Sequence, residues 1–394
     1  MITAVIITRK RGYHIIPSRA RTTWRNASPA AASRSSEDTL VEPDDQLYAS
    51  ESDDSLLRHP SPHPSKRSPS RVRGAAQTGP YRNHVHSRIL QKFPFLIEMF
   101  YWGLNYVAYL LSKDAAAAFH GQKGNAVVEL AQKHGIDILD FEHESAFSFL
   151  FLQEISVQKF FLQKHVGIMS VLNQIYSLVH IPGTVAFICW YYYAAPSFNQ
   201  FSTARRTMAL GNFVAFFVFA IWPCMPPRLL PERFGFEDTV RQAHAESVWV
   251  GENGESGNFN QLAAMPSLHF TYALIIGSTL FWHSGFLQSL RGKPREGSFL
   301  GMIGLMLAGF LYPALVLLVI VATANHYFLD AVAAILSVLF CFTCNKVWLL
   351  LLPAERVLAR VLQVEKPIPT TGDRSKARKR RRNAAGDEDG TLQA

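Results

Sequence analysis

Two histidines and an aspartate stand where long apolar stretches begin. His269 ends Pro266-Ser267-Leu268-His269, and His326 and Asp330 lie in Asn325-His326-Tyr327-Phe328-Leu329-Asp330. Ionisable groups held at the rim of hydrocarbon are functional candidates. His326 and Asp330 are four apart and share one helical face, so Asp330 can hold one ring nitrogen and leave the other lone pair free to attack. His269 is a second proton carrier. Pro266 suits a first helical turn, where the amides around Leu268 and the Ser267 hydroxyl make an anion site. Arg228, in Met225-Pro226-Pro227-Arg228-Leu229, offers a fixed charge to phosphate oxygens. The chemistry suggested is phosphoryl transfer through a phosphohistidine. His326 attacks phosphorus; His269 protonates the leaving oxygen and then deprotonates the incoming hydroxyl. Asn325 either bonds a phosphate oxygen or caps the last helix. His180, inside an apolar run beside Pro182-Gly183, either contacts substrate or its surroundings or makes a structural hydrogen bond.

The elements that must position these residues are membrane helices. A span needs about 20 mainly apolar residues. Stretches 93–111, 168–193, 207–225, 266–283, 299–322 and 326–351 qualify, with a kink expected at Pro182-Gly183. The stretch 145–162 carries Glu154, Gln158 and Lys159 and reads as an interfacial amphipathic helix. The expected fold is therefore an all-α, six-span bundle with an interfacial helix and disordered termini. With six spans, Arg82, Arg88 and Lys92, then Arg205 and Arg206, then Arg291, Lys293 and Arg295, and the basic C-terminal tail, all fall on one side. The positive-inside rule makes that side cytoplasmic. Arg228, His269 and His326 then meet at the opposite, lumenal or extracellular rim.

Of 394 residues, 48% are hydrophobic and the net charge is +9, but the two are segregated. Residues 1–90 are rich in Ser, Pro, Arg and Asp and read as a disordered tail; 91–352 form the membrane domain; 353–394 form a basic cytoplasmic tail suited to anionic lipid. No folded basic face accompanies the charge, so nucleic acid is not an expected partner. Met1 to Ile7 is shorter than a signal-peptide core. Cys189, Cys224, Cys341 and Cys344 read as buried thiols rather than a disulfide or zinc framework.

The order Arg228, Pro266-Ser267-Leu268-His269, His326-x-x-x-Asp330 across six spans resembles the type 2 phosphatidic acid phosphatase superfamily, over residues 95–350. The wording Ala263-Ala264-Met265-Pro266-Ser267-Leu268-His269 and Ala324-Asn325-His326-Tyr327-Phe328-Leu329-Asp330 looks most like its inositolphosphotransferase branch, which includes inositol phosphorylceramide synthase. The resemblance implies a histidine nucleophile at His326, an orienting Asp330, an acid/base His269, and no metal or other cofactor. Two cations of the phosphatase pattern are replaced, by Ile221 and Ile320. A phosphodiester carries one negative charge and needs fewer positive partners. The expected donor is thus a phosphodiester lipid such as phosphatidylinositol, with a lipid hydroxyl as acceptor, in sphingolipid metabolism of the Golgi or endoplasmic reticulum. A lipid phosphate phosphatase and an inactive membrane scaffold are the alternatives. The long 224–265 segment, with Glu232, Arg233, Asp238, Arg241, His244, Glu246 and Trp249, reads as headgroup recognition or a solvated lid.

Overall fold

The computed structural model describes residues 1–11, 13, 15, 80–121, 125–144, 153–239, 262–292 and 298–377. The described residues are helical and contain no strand, only a two-residue bridge between Cys224 and Ala263. The helices are α1 (Ile2–Ile7), α2 (Val85–Lys92), α3 (Phe95–Gly121), α4 (Asn125–Glu144), α5 (Glu154–Lys164) and α6 (Val166–Gln174). Next come α7 (His180–Ala194), α8 (Phe198–Ile221), α9 (Leu268–His283) and α10 (Phe286–Leu290). The last are α11 (Phe299–Ala322), α12 (Phe328–Cys344) and α13 (Leu352–Val361).

Among the described residues three helical stretches are long and apolar enough to cross a membrane: α8, α11 and Phe328–Val361, which begins with α12. A fourth crossing results if α6 and α7 count as one bent span. Of the six expected spans, the one at 266–283 is a 16-residue helix, about 24 Å long. The one at 93–111 is the start of α3, which continues past Asp114 to Gly121. Phe217, Leu300, Phe310 and Leu336 point outward and are each over 60% exposed. Large apolar side chains displayed this way fit a protein embedded in lipid.

The helix α9 is the axis of the bundle. It packs most extensively along α11 and also touches α8, α12 and α7. The α9–α11 crossing is close because two glycines face each other. A Cβ on Gly277 would lie 2.5 Å from the Gly309 carbonyl oxygen, and one on Gly309 would lie 2.7 Å from the Gly277 carbonyl oxygen. The Gly309 carbonyl has no helical donor four residues on, because that residue is Pro313. Small residues at helix crossings let backbones approach in this way inside membranes.

The bend in the second expected span lies at a π-helical turn, Ile175–Val179, and not at Pro182-Gly183. The flanking helices differ by 52°. A π turn inserts one extra residue into the helical ladder, which reorients the remainder of the span. Arg205 and Arg206, expected in a basic loop, lie inside α8, because Ser197 starts that helix early by accepting from the Gln200 amide. Arg205 Nη1 donates to both carboxylate oxygens of Glu98 of α3, at 2.8 and 2.7 Å.

Parts of both expected tails have structure. In α1, Ala4 and Val5 pack on the core cluster around Phe95 and Tyr192. Residues 363–371 fold back over the same end of the bundle: Thr370 Oγ1 donates to Thr8 O, Thr371 Oγ1 donates to Tyr192 O, and Gln91 Nε2 donates to Lys366 O. Sequence missed this because side-chain hydrogen bonds to distant backbone carbonyls, not apolar periodicity, hold it. Residues 16–79 and 378–394 lie outside the described residues. Cys224 and Cys341 are buried, Cys189 and Cys344 half-buried, and all four are free thiols.

Candidate active site

The candidate site forms where α8 ends, α9 and α12 begin, and α11 terminates. In α11, Val319 O receives the Thr323 amide, and Ala324 follows in the left-handed region at φ 52°. This turn brings the amides of Asn325 and His326 back onto the Ile320 carbonyl, at 3.0 and 3.2 Å. The Ala324 carbonyl accepts the backbone amide of Arg228 at 2.9 Å, so the Arg228 segment is tied to the turn that presents His326. A non-glycine residue in that region stores strain of about 1 kcal/mol or more, tolerated where surrounding bonds fix the conformation.

His326 is buried, and its Nδ1 lies 2.7 Å from the Ala264 carbonyl oxygen and 3.2 Å from Asp330 Oδ2. A carbonyl only accepts, so Nδ1 carries the proton and Nε2 keeps its lone pair. Asp330 Oδ2 also accepts the Tyr327 amide at 3.0 Å, which caps α12 and fixes the carboxylate. Asp330 is fully buried. The expected cap Asn325 does not fill that role. Its Oδ1 accepts from Arg228 Nε at 2.8 Å and its Nδ2 donates to Thr323 Oγ1 at 2.7 Å.

Ser267 is buried and caps α9, its Oγ accepting the Phe270 amide at 3.3 Å, and Leu268 is the first helical residue. In that first turn, His269 stacks against Tyr176 with centroids 4.3 Å apart. Its ring centroid is 6.1 Å from that of His326 and 4.9 Å from that of His180. A near-attack distance and a hydrogen bond are each about 3 Å. The two imidazoles therefore lie close enough for both to reach one bound phosphate group. His180 Nδ1 meets the Tyr312 hydroxyl at 3.2 Å, while its buried Nε2 has no hydrogen-bond partner among the described residues. The extra residue of the π turn, which precedes His180 and contains Tyr176, brings both rings beside His269.

Arg228 is held on two sides: Nε by Asn325 and Nη1 by Asp238 Oδ2 at 3.0 Å. Asp238 in turn is anchored through its neighbour, since Gln158 of α5 accepts the Glu237 amide at 3.0 Å and donates to the Glu237 carbonyl at 2.8 Å. Arg241, His244, Glu246 and Trp249 of the long connection lie outside the described residues.

Of the stretch 145–162 expected as an interfacial helix, residues 145–152 lie outside the described residues and residues 154–162 fall in α5. Glu154 and Gln158 are fully buried and point into the protein, while Lys159 and Lys164 of the same helix are exposed. A polar stripe on a helix signals water, lipid headgroups or a buried polar partner alike, and sequence does not separate them. The helix α4 had no signal of its own in the apolar pattern. Its Ala131, Ile138 and Leu139 pack with Met225, Leu230, Ala264 and Tyr327 beneath the site. Gly135 leaves room for the Tyr327 hydroxyl to donate to Met225 O at 2.8 Å; a Cβ there would lie 2.6 Å from that hydroxyl. Among the described residues no three His, Cys, Asp or Glu side chains converge as a metal-ligand set.

No curated protein and no solved structure matched the chain. Residues 137–290 match a family model described as the PAP2 superfamily. The matched stretch runs from within α4 through α10 and includes Arg228, Ser267 and His269; His326 and Asp330 lie beyond it. PAP2 superfamily members are typically phosphatases or phosphotransferases. Over residues 137–290 the chain is therefore similar to the PAP2 superfamily.

Proposed function

We propose that the protein is a membrane lipid phosphotransferase that works through a phosphohistidine at His326. In the first half-reaction Nε2 of His326 attacks phosphorus, the P–O bond to the donor's diacylglycerol breaks, and His269 delivers its proton to that oxygen. In the second, His269 takes the proton from a lipid hydroxyl, which attacks phosphorus and breaks the N–P bond. The observation that carries this reading is the His326 imidazole with Nδ1 held by Ala264 O and Asp330 Oδ2, its ring 6.1 Å from His269. The Asp330 carboxylate beside Nδ1 stabilises the positive charge the ring acquires on attack. Arg228, the Ser267 hydroxyl and the first amides of α9 at Leu268 bind the phosphate oxygens. Asn325 acts by holding Arg228.

The donor is a phosphodiester lipid with an inositol-phosphate-type headgroup. Two features support a singly charged phosphate. Ile320 is fully buried in apolar surroundings where the phosphatase pattern has a cation. Asp238 takes one arm of Arg228, which lowers the positive charge available to a second phosphate negative charge. An apolar cleft lined by Val214, Val218, Ala333, Leu336 and Phe340 reaches Met265 and Pro266, next to Ser267, and suits an acyl chain. The six crossings are α3, α6–α7, α8, α9, α11 and α12. The site sits on the lumenal side of the Golgi or endoplasmic reticulum membrane and the termini face the cytosol. Support for that arrangement comes from residues 363–371 contacting the Ala194 end of α7, whereas the candidate site forms at the far end of α8.

The test is incubation of purified protein with phosphatidylinositol or phosphatidic acid labelled in the phosphate, with ceramide or another lipid alcohol as acceptor. Label transferred from phosphatidylinositol into a new lipid supports the reading. Rapid release of inorganic phosphate from phosphatidic acid, with no transfer from phosphatidylinositol, would replace it by a phosphatase.

A further inference from the structure

Two glutamates that the phosphotransfer chemistry does not use converge on the helix that follows His326. Both are fully buried: Glu142 from the last turn of α4 and Glu154 from the first turn of α5. Glu142 Oε1 accepts the backbone amide of Leu329. Glu154 Oε1 accepts the amide of Phe328 at 3.3 Å, and Glu154 Oε2 accepts from His143 Nε2 at 3.0 Å. Phe328 and Leu329 are the first two residues of α12, and Asp330 Oδ2 takes the Tyr327 amide before them. Three consecutive amides are thus held by three carboxyl groups from three helices.

The remaining oxygen decides the protonation. Glu142 Oε2 is buried and meets no donor among the described residues; its neighbour is the Glu154 carboxylate. Two ionised carboxylates cannot share such a site. With one proton on Glu142 Oε2 every role is filled. That hydroxyl donates to Glu154, the Glu142 carbonyl oxygen accepts Leu329 N–H, and Glu154 keeps its negative charge for Phe328 N–H and His143. We infer that Glu142 and Glu154 form a proton-sharing clamp on the first turn of α12 that positions His326 and Asp330 for the reaction. They are positioning residues. The inference rests on the proposed phosphotransfer reading for its effect on rate, but not for its effect on folding.

The direction of the pH dependence is set by this shared proton. Burial, and then Glu154, hold the Glu142 carboxyl well above the ordinary glutamate value. The charged or titratable groups around it are Glu154 and His143 on α5 and α4, Asp330 and Tyr327 at the start of α12, and Cys224 beside Tyr327. Asp330 adds a further negative charge that favours the protonated form. The folded protein binds a proton that the unfolded chain releases near the ordinary glutamate value. The clamp's stability contribution is therefore complete at acid pH and is lost as pH rises through the raised value.

The experiment compares wild type, Glu142→Gln and Glu154→Gln in detergent micelles, by thermal melting from about pH 6 to 10 and by steady-state phosphotransfer. Glutamine at 142 reproduces the protonated acid, its carbonyl accepting Leu329 N–H and its amide donating to residue 154. Glutamine at 154 removes an acceptor the arrangement needs. We expect Glu142→Gln to keep kcat within about threefold of wild type and to lose the alkaline fall in melting temperature and rate. Glu154→Gln should lower kcat about tenfold or more with little change in KM, as a misplaced nucleophile does. Equal damage from the two variants, or a wild-type pH profile in Glu142→Gln, overturns the clamp. If no lipid is turned over by wild type, the phosphotransfer reading fails, and the melting profiles alone decide the clamp.

Discussion

The imidazole of His326 donates from Nδ1 to the carbonyl oxygen of Ala264 at 2.7 Å, closer than its approach to Asp330. Ala264 lies 62 residues upstream, just before the turn that starts α9. The tautomer of His326 is therefore fixed by the backbone that also presents Ser267 and His269. Asp330 contributes charge and orientation to a ring already held.

That division of labour predicts the Asp330→Asn variant. Where a carboxylate alone sets a tautomer, its amide replacement costs about 10⁴ in kcat. Here the introduced carboxamide oxygen can still accept the Tyr327 amide, and Ala264 O still holds Nδ1. We expect kcat for phosphotransfer to fall about ten- to a hundredfold with KM little changed, measured by steady-state kinetics on purified protein. A loss as deep as that of His326→Ala would show that Asp330 alone sets the tautomer.

His269→Ala should leave the bundle folded and slow both half-reactions by about 10² to 10⁴, the usual share of a general acid–base group. Imidazole added in solution should restore part of the rate. Pre-steady-state assays with labelled donor, checked against melting temperature, separate this from misfolding. A His269→Ala enzyme with an unchanged rate excludes it as the proton carrier.

Asp238→Asn removes a negative charge from Arg228 while keeping an acceptor for Nη1. The ratio of phosphatidic acid to phosphatidylinositol turnover should rise by about tenfold, since the doubly charged monoester gains most from the freed guanidinium. Competition between the two labelled donors reads this ratio directly, and a falling ratio would argue against a charge-based preference.

The Gly277–Gly309 crossing predicts a packing effect far from the chemistry. Gly277→Val places side-chain atoms where the Gly309 carbonyl and Pro313 already lie. Overpacking typically costs about 1–3 kcal/mol or more, so the detergent melting temperature should drop by several degrees. Gly183→Ala, where a Cβ meets nothing within 4 Å, is the matched control and should be near neutral.

The apolar runs of α8, α11 and α12 were legible because period and length alone mark helices able to cross a membrane. His326 and Asp330 were paired by spacing, and Nδ1 does lie 3.2 Å from Oδ2, but not across a shared helical face: His326 sits in the turn before Tyr327, the cap of α12, and only Asp330 is helical. What sequence could not provide was long-range. Ala264 as hydrogen-bond acceptor depends on its carbonyl and not on its side chain. Tyr176 beside His269 depends on a π turn, which has no marker residue. The buried roles of Glu142 and Glu154 had no sequence signal, because burial of a carboxyl is decided by the amides and proton it meets, and these come from distant segments. Gly135 and Gly277 matter through what approaches them.

The central claim is a covalent bond between phosphorus and His326. Purified protein is mixed with phosphatidylinositol labelled in its phosphate, without acceptor, then quenched in alkali and digested. The account predicts protein-bound label, stable to base and lost in acid as a phosphoramidate is, on the peptide containing His326 and absent from His326→Ala. Label on another residue, or turnover of lipid by His326→Ala at the wild-type rate, would contradict it.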